Sequence, residues 1–310
     1  MALPPPRARR AAATEALPAL FDLDEALRVV RRRTLFVPKI ALVLGSGLGV
    51  LAEGVAWEAS LSTEEIPGLP RSTVPGHSGR LLLGRWAGRA VAVAQGRSHL
   101  YEGYSAEEVT RVVRLLAALG AKSLVLTNAA GGITPRMSPG TLMLVEDQVN
   151  LQWRAPGRIA RDARGDRAAR DARGDRADGD GQRAAANPRG LSTRPAYSPE
   201  LLAKAARAAT VAGVRVERGV LGVAIGPCYE TPSEIAMLER MGADVVCMST
   251  AAETAAANEI GLPVVCVSCV TNWACGKSAA RLSHDEVTSA VATAAAPLKS
   301  VLERLILALA

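Results

Sequence analysis

Short apolar runs rich in Val, Leu, Ile and Ala constrain the fold of this chain more than any other feature. Each run has the length of a buried strand, and stretches with helical apolar spacing lie between them. This alternation predicts an α/β fold: a single domain with a twisted, mostly parallel or mixed β-sheet flanked by helices on both faces. The predicted strands are Ile40–Leu44, Ala90–Gln95, Ser123–Thr127, Leu142–Val145, Val220–Ile225, Val245–Met248 and Val264–Val270.

Capping residues mark where the helices begin and end. Ser105 opens a capping box before an apolar stripe that Gly120 closes. Thr231 is followed by a proline at the first helical position, which favours a second helix start. Ser283 begins a C-terminal helix that Pro297 should kink or break.

Composition indicates one domain with a tail and an insert. Apolar residues make up 49% of the chain but aromatic residues only 3%, so aliphatic side chains must fill the core. Residues 1–20 are expected to be a disordered tail before an amphipathic helix near Leu23–Arg33, and residues 21–310 a single domain. Within that domain, a low-complexity segment at about 158–190 carries an Arg/Asp repeat between residues 161 and 177. The repeat has almost nothing to bury, which predicts an expanded surface loop.

The net charge of +7 does not indicate a nucleic-acid partner. Aromatic residues for base stacking are scarce, and the sequence contains no recognition-helix, zinc-finger or RNA-binding pattern. The Asp residues interleaved in the basic repeat also cancel much of the field that a phosphate backbone would experience.

Cysteine usage and hydropathy favour the cytoplasm. The five cysteines are odd in number, which is typical of a reducing compartment, and no apolar run reaches the roughly 18 residues needed to span a bilayer. Cys266 and Cys269 have CxxC spacing but lie inside a predicted strand, which favours buried small residues over a redox motif. The three histidines do not have metal-ligand spacing, so we expect no metal site.

Small or polar residues follow six of the predicted strands, where open α/β sheets bind their ligands. Gly45–Gly49 can expose backbone N–H groups, and Ser46 adds a hydroxyl donor. Alone, this loop fits an anion site and a tight turn equally well, and it half-matches a dinucleotide fingerprint. After the next strand, Arg97 and His99 project to the same side of an extended chain and would form a phosphate clamp.

The other four strand ends add groups suited to an organic ligand. Thr127–Gly132 turns through small residues that let a ligand approach the backbone. Tyr229 supplies a flat ring, and the Glu230 carboxylate can accept two N–H bonds or simply favour a helix N-terminus. Ser249 and Asn272 add a hydroxyl and an amide at the two remaining strand ends. Chance placement of ligand-suited residues at six strand ends is less plausible than one shared ligand site.

Together these motifs resemble the trimeric purine nucleoside phosphorylases. The match runs from about Arg33 to the C-terminal helix and keeps its order and spacing. It comprises Gly45–Gly49, Ile66–Gly68, Arg71–His77, Gly96–Tyr104, Thr127–Gly132, Tyr229–Thr231, Met248–Thr250, Thr271–Asn272 and Ser283–Val287.

The resemblance implies a homotrimeric enzyme in which inorganic phosphate is a co-substrate and no cofactor is needed. Phosphate would attack the anomeric carbon of a purine nucleoside while the base leaves, through an oxocarbenium-like transition state. The implied phosphate-binding residues are Ser46, Arg97, His99, Ala129, Ser249 and His77. The implied purine- and ribose-binding residues are Tyr101, Tyr229, Glu230, Met248, Asn272 and His284.

The catalytic roles implied by the resemblance fall on Asn272, Glu230 and His99. Glu230 would accept from the purine N1–H, while the Asn272 amide would donate toward N7 and O6. A 6-oxopurine fits this pair, whereas adenine would leave a buried polar group unpaired at a cost of about 1–3 kcal/mol. The expected substrates are inosine, guanosine and their 2′-deoxy forms.

Three features depart from the family pattern. Gln148 stands where the family usually has His, and Cys247 where it usually has Gly. No Phe or Tyr occurs between Trp153 and Tyr197, where the family has an aromatic residue that closes over the neighbouring subunit's ribose. Two hypotheses follow: a missing intersubunit lid, which would raise the Michaelis constant for nucleoside, or a weaker trimer contact.

Three alternatives stay open on the sequence alone. Methylthioadenosine phosphorylases usually have Asp where Asn272 stands and do not have the run from His99 to Tyr104. A nucleoside-binding paralogue would keep the pocket without turnover. A nicotinamide-dependent oxidoreductase rests on the Gly loop alone, which has its third glycine one residue too early.

Overall fold

The computed structural model describes residues 21–74, 78–152, 195–278 and 284–309, and side chains in the last range from residue 294 onward. The predicted tail and low-complexity loop lie outside these ranges. The strands are β1 (Ile40–Leu44), β2 (Trp57–Ser62), β3 (Arg80–Trp86), β4 (Arg89–Gln95), β5 (Ser123–Gly132), β6 (Leu142–Asn150), β7 (Val216–Val223), β8 (Val245–Cys247) and β9 (Val264–Trp273). The helices are α1 (Leu23–Arg33), α2 (Ala106–Ala118), α3 (Pro199–Ala212), α4 (Pro232–Arg240), α5 (Ala251–Glu259) and α6 (His284–Ala308).

The described strands form one mixed sheet in the order β2-β3-β4-β1-β5-β8-β7-β6-β9, and β9 also pairs with β5. This extra pairing closes β5, β8, β7, β6 and β9 into a ring, while β1 to β4 extend from β5 as an open sheet. Five of the pairings are parallel and four are antiparallel. The α/β prediction is confirmed, with a mixed sheet.

The strand β5 differs from the prediction and shapes the site. The segment from Asn128 to Gly132 was expected to leave the strand in a turn, but it continues as strand. It does so because Gly131 lies opposite Val246 of β8 and also opposite Asn272 of β9, so both ring neighbours pair with its C-terminal half. β5 therefore belongs to the open sheet at one end and to the ring at the other.

Two predicted helix starts have the expected caps. The Ser105 hydroxyl accepts from the Glu108 N–H at 3.2 Å, and the Glu108 carboxylate accepts from the Ser105 N–H at 2.8 Å. Thr231 and Glu234 make the same reciprocal pair at 3.3 and 2.7 Å. Each box satisfies N–H groups that a helix start leaves without intrahelical partners.

Pro297 does not break α6, which continues through it, so that half of the prediction is wrong, while the kink stays a prediction. Ala294 before the proline and Leu298 after it are both buried in the core. Burial of this helix on both sides of the proline outweighs the lost hydrogen bond, which costs about 3 kcal/mol.

The helices lie in two groups on the two faces of the sheet. On one face α2 contacts both α1 and α5, and on the other α3 packs against α6, which also contacts β9. The main core lies between these layers and is almost entirely aliphatic. Within the described ranges, every helix is too short or too polar to cross a membrane.

Gln148, which stands where the family usually has His, makes a specific contact. Its Oε1 accepts a hydrogen bond from the Tyr197 hydroxyl at 2.7 Å, and Tyr197 is fully buried. A histidine ring could not offer this amide oxygen. The pair fixes β6 to the start of the chain segment that enters α3.

Candidate active site

The predicted ligand residues lie around one cavity of about 520 Å³, between the open sheet and the closed ring. His77 lies outside the described residues, and the structure describes the backbone of His284 at the start of α6 but not its side chain. The ten other predicted residues all line the cavity: Ser46, Arg97, His99, Tyr101, Ala129, Tyr229, Glu230, Met248, Ser249 and Asn272.

The Gly-rich loop begins in contact with β5. The Gly45 N–H donates to the Thr127 hydroxyl at 3.2 Å. A Cβ atom at Gly45 would lie 2.8 Å from the Thr127 carbonyl oxygen and 3.0 Å from the Asn128 Cα. Gly47 has a φ of 73°, which starts the short 3₁₀ helix Leu48–Ala52. Glycine is therefore needed both for close packing and for the turn.

Arg97 is held in a buried ion pair. Its Nε and Nη2 each lie 3.2 Å from one carboxylate oxygen of Glu253, and the two side chains are 2% and 5% exposed. Its Nη1 donates to the Thr127 carbonyl at 2.8 Å and to the Ser249 hydroxyl at 3.1 Å. This bidentate geometry fixes the guanidinium plane, and one edge of it faces a hydroxyl that lines the cavity.

His99 is held by Glu102 in a defined orientation. Its Nδ1 lies 3.0 Å from Glu102 Oε1, and its backbone N–H donates to the same oxygen at 2.7 Å. Burial, aided by the Arg97 charge, lowers the pKa of His99 to about 4, although Glu102 opposes the shift. The neutral ring directs its Nδ1–H to Glu102, so Nε2 is a hydrogen-bond acceptor. The Tyr101 ring stacks on it with centroids 4.7 Å apart.

Glu102 also fixes the chain that leads to the undescribed residues 75–77. Its Oε2 accepts from the Thr73 N–H at 2.6 Å and from the Thr73 hydroxyl at 2.8 Å. Burial raises the pKa of Glu102, but the bonds from Thr73 and His99 outweigh it and lower the pKa overall. The carboxylate therefore stays ionised as an acceptor.

Ser249 lies in a strained turn. Thr250 has φ 83° and ψ −43°, and the Ala251 N–H donates to the Ser249 carbonyl at 3.1 Å. These are the features of a positive-φ γ-turn, which a β-branched residue rarely adopts. Such backbone strain costs about 1–3 kcal/mol and is found mostly at functional sites.

Glu230 presents an unsatisfied acceptor to the cavity. Its side chain is 9% exposed, and Oε1 has no hydrogen-bond partner within the described part of the chain. Burial raises the pKa of Glu230, and the nearby Glu234 adds to the shift. A buried carboxylate oxygen without a donor is costly, so this geometry suits a ligand that brings an N–H group.

The Asn272 amide is oriented by its neighbours in β9. The Thr271 hydroxyl donates to Oδ1 at 2.8 Å, and Nδ2 donates to the Trp273 carbonyl at 2.9 Å. A Cβ at Gly131 would lie 3.4 Å from Nδ2, so this glycine leaves room for the amide. The arrangement fixes Nδ2 as the donor end.

Several site residues had no role in the sequence interpretation. Thr73, Val74 and Asn128 line the cavity, while Glu253 and Thr250 hold the residues that line it. Glu253 could have been suspected as the third residue of a helix start after β8. Its partner Arg97 is 156 positions away, so no local pattern joins them.

Cys266 and Cys269 behave as buried small residues, as predicted. Cys266 and Cys269 lie in β9, both are buried and free, and burial raises the pKa of Cys269 to about 12. Cys247, the second departure from the family pattern, lines the cavity and donates its S–H to the Ser249 carbonyl at 3.2 Å.

The fold and the cavity define a class of protein. It is an α/β enzyme with a buried arginine and an amide–carboxylate pair in the same ligand cavity.

The chain belongs to the phosphorylase superfamily, whose family model matches residues 39–307, and within it to the purine nucleoside phosphorylases. Purine nucleoside phosphorylase 1 of Geobacillus stearothermophilus is 36% identical over 86% of this chain and 89% of its own length. A Schistosoma mansoni purine nucleoside phosphorylase solved with adenosine has 34% identity and a TM-score of 0.74, covering 92% of this chain and 95% of that one. A Schistosoma enzyme solved with hypoxanthine matches with the same values.

Proposed function

We propose that this chain catalyses the phosphorolysis of purine nucleosides and prefers 6-oxopurines, as in inosine, guanosine and their 2′-deoxy forms. One observation carries the proposal: a single cavity holds groups for the nucleophile and groups for the leaving base. The names of the relatives support the reaction type.

In the proposed reaction a phosphate oxygen forms a bond to C1′ while the C1′–N9 bond breaks. The bonding electrons move to the purine, which takes up at N7, through solvent, the proton that the hydrogen phosphate ion loses, and the products are free base and (deoxy)ribose 1-phosphate. Ser46, Arg97, Ala129 and Ser249 would donate to phosphate oxygens, and the neutral His99 would accept at Nε2 from the protonated oxygen of the phosphate. An anion beside the developing ribosyl cation stabilises the transition state, and its fixed position aligns the nucleophile.

Base recognition would depend on Glu230 and Asn272. The unsatisfied Glu230 oxygen suits the N1–H of a 6-oxopurine, whereas the unprotonated N1 of adenine would leave it unpaired. The Asn272 Nδ2 suits charge that builds up on N7 and O6. One relative has been solved with adenosine, so the preference has to be measured on this chain.

The proposal includes a cytoplasmic homotrimer that needs no cofactor. Ile225 and Tyr229 near the cavity, Met237 on α4 and Met241 just after it are largely apolar and at least a third exposed, which fits a subunit contact. Light scattering should give about three times the 32.3 kDa chain mass.

The test is inosine cleavage with and without inorganic phosphate, with ribose and ribose 1-phosphate measured separately. We expect cleavage only with phosphate, ribose 1-phosphate as the sugar product, and adenosine turned over at least about tenfold less efficiently, the factor that 1.4 kcal/mol provides. Cleavage without phosphate would indicate a hydrolase. Inosine binding without turnover would indicate a binding paralogue, and comparable adenosine turnover would overturn the base preference.

A further inference from the structure

Several hydrogen bonds from neighbouring elements hold the strained turn at Thr250 in place. Thr250 is 2% exposed, and its N–H donates to Glu253 Oε2 at 3.1 Å. Its hydroxyl accepts from Asn128 Nδ2 at 3.0 Å. The Ser249 carbonyl in the same turn accepts from both Ala251 N–H and Cys247 S–H. Residues from β5, β8 and α5 therefore hold a conformation that Thr250 would not adopt alone.

In the hydrogen bonds around the turn, a donor and an acceptor can be assigned at each step. The Arg97 guanidinium can only donate, and its Nη1 lies 3.1 Å from Ser249 Oγ. Because Asn128 Nδ2 donates to Thr250 Oγ1, the single hydrogen of the Thr250 hydroxyl is available for Ser249 Oγ, 3.3 Å away. Ser249 Oγ then accepts twice, and its own hydrogen can point to the cavity; the Cys247 sulfur is the other acceptor within reach of the Ser249 and Thr250 hydroxyls.

We propose that Thr250 is a positioning residue for phosphate: its hydroxyl, held by the turn, donates to Ser249 Oγ and so leaves the Ser249 hydrogen to donate into the cavity. Inorganic phosphate offers only acceptors at most of its oxygen atoms, so a fixed donor favours it. Thr250 does not touch the substrate in this scheme, and its effect passes through Ser249. The inference rests on the proposed function, because it assigns the anion at Ser249 to phosphate.

The first test compares Thr250→Val with Thr250→Ser. Valine keeps the branched shape and removes the hydroxyl, whereas serine keeps the hydroxyl. We expect Thr250→Val to raise the KM for phosphate about fivefold, the effect of one lost hydrogen bond, while the KM for inosine changes less than about twofold. Thr250→Ser should recover most of the lost phosphate affinity. An unchanged phosphate KM in Thr250→Val, or equal losses for both substrates, would overturn the proposal.

The second test asks whether the effect passes through Ser249. In a double-mutant cycle, Thr250→Val should add almost nothing to the phosphate KM of Ser249→Ala, because the hydroxyl it orients is already gone. Fully additive effects would overturn the proposal. If a variant loses turnover, the increase in unfolding temperature caused by phosphate measures its anion affinity directly. Wild-type protein without phosphate-dependent cleavage would instead refute the proposed function.

Discussion

The charged groups beside the cavity are paired with one another within the chain. The Arg97 guanidinium is paired with Glu253 in an almost fully buried bidentate contact, and His99 is neutral beside the ionised Glu102. A buried arginine without such a partner would carry a large desolvation penalty, and breaking a buried pair costs about 3–5 kcal/mol. Under the proposed function, recognition of phosphate would therefore depend on directed donors, such as Ser249, more than on net positive charge.

At the level of one side chain, Asn272→Asp should change the base preference. A carboxylate cannot donate to N7 or O6, but it can accept from the 6-amino group of adenine. We expect kcat/KM for inosine to fall at least about tenfold and the adenosine-to-inosine ratio to rise, consistent with 1–3 kcal/mol for a mispaired buried group. Steady-state kinetics with both nucleosides at saturating phosphate would measure this ratio.

Asn258→Asp is the matched control, since it makes the same change on the exposed end of α5, where the amide donates to the Ala196 carbonyl. It should leave the ratio unchanged. A constant ratio in Asn272→Asp would show that this amide does not select the base.

Among the secondary-structure elements, the β1–β5 contact sets the position of the Gly-rich loop. Gly45→Ala would press a methyl group against the Thr127 carbonyl and the Asn128 backbone, neither of which can move without shifting β5. We expect a loss of about 1–3 kcal/mol in the free energy of unfolding and a raised KM for phosphate. Urea unfolding and phosphate titrations would measure the two effects.

Gly49→Ala is the control in the same loop. Its Cβ would meet only the flexible Gln95 side chain, at 3.3 Å, which can yield at the cost of at most one hydrogen bond, from Gln95 Nε2 to the Gly49 carbonyl. The two variants should therefore differ clearly in stability. Equal stabilities would mean that the loop moves to relieve the clash of the added methyl group. The contact with β5 would then not set the position of the loop.

The elements show which features a sequence can predict. Most strands buried on both faces, such as β1, are continuous aliphatic runs and were found, but β3, which carries the buried run Leu81–Leu83, was missed, and so was α3. β2 alternates exposed and half-buried residues over most of its length, and α5 is buried on most sides and carries no amphipathic stripe, so both were missed. The ring closure depends on β9 pairing with β5 and on a mixed strand order, which no local pattern encodes.

The site was predictable to a similar extent. Residues that face the ligand stand in recognisable motifs, and ten of them meet in one cavity. The residues behind them were missed, because Glu253 and Thr250 act through contacts with Arg97 and Ser249 that only the folded chain creates. Their roles toward phosphate and purine stay predictions until the experiments above are done.

For the whole molecule, deletion of residues 160–182 should be tolerated. The segment contains six Arg and six Asp, so the net charge of +7 does not change. The buried contacts on either side stay in place: the Gln152 amide donates to the Ala224 carbonyl at 3.1 Å, and Tyr197 donates to Gln148. We expect similar kcat, inosine KM and molecular mass, measured by steady-state kinetics and light scattering.

Loss of activity on deletion would show that the insert contributes to catalysis. A lower mass with intact thermal stability would instead assign it to the subunit contact. A raised inosine KM alone would mean that the segment acts as the intersubunit lid despite having no Phe or Tyr.

The ring closure also limits the number of described sheet edges to which another chain could add a strand. Because β9 returns to β5, β2 is the one described strand with a single neighbour. It is short, carries Glu58, and has an irregular register with β3 between Trp57 and Ala59. Each of these features discourages another chain from adding a strand. Because the ring closes one end of the sheet, β2 is the described edge strand that needs protection from strand addition. The sequence of β2 provides that protection.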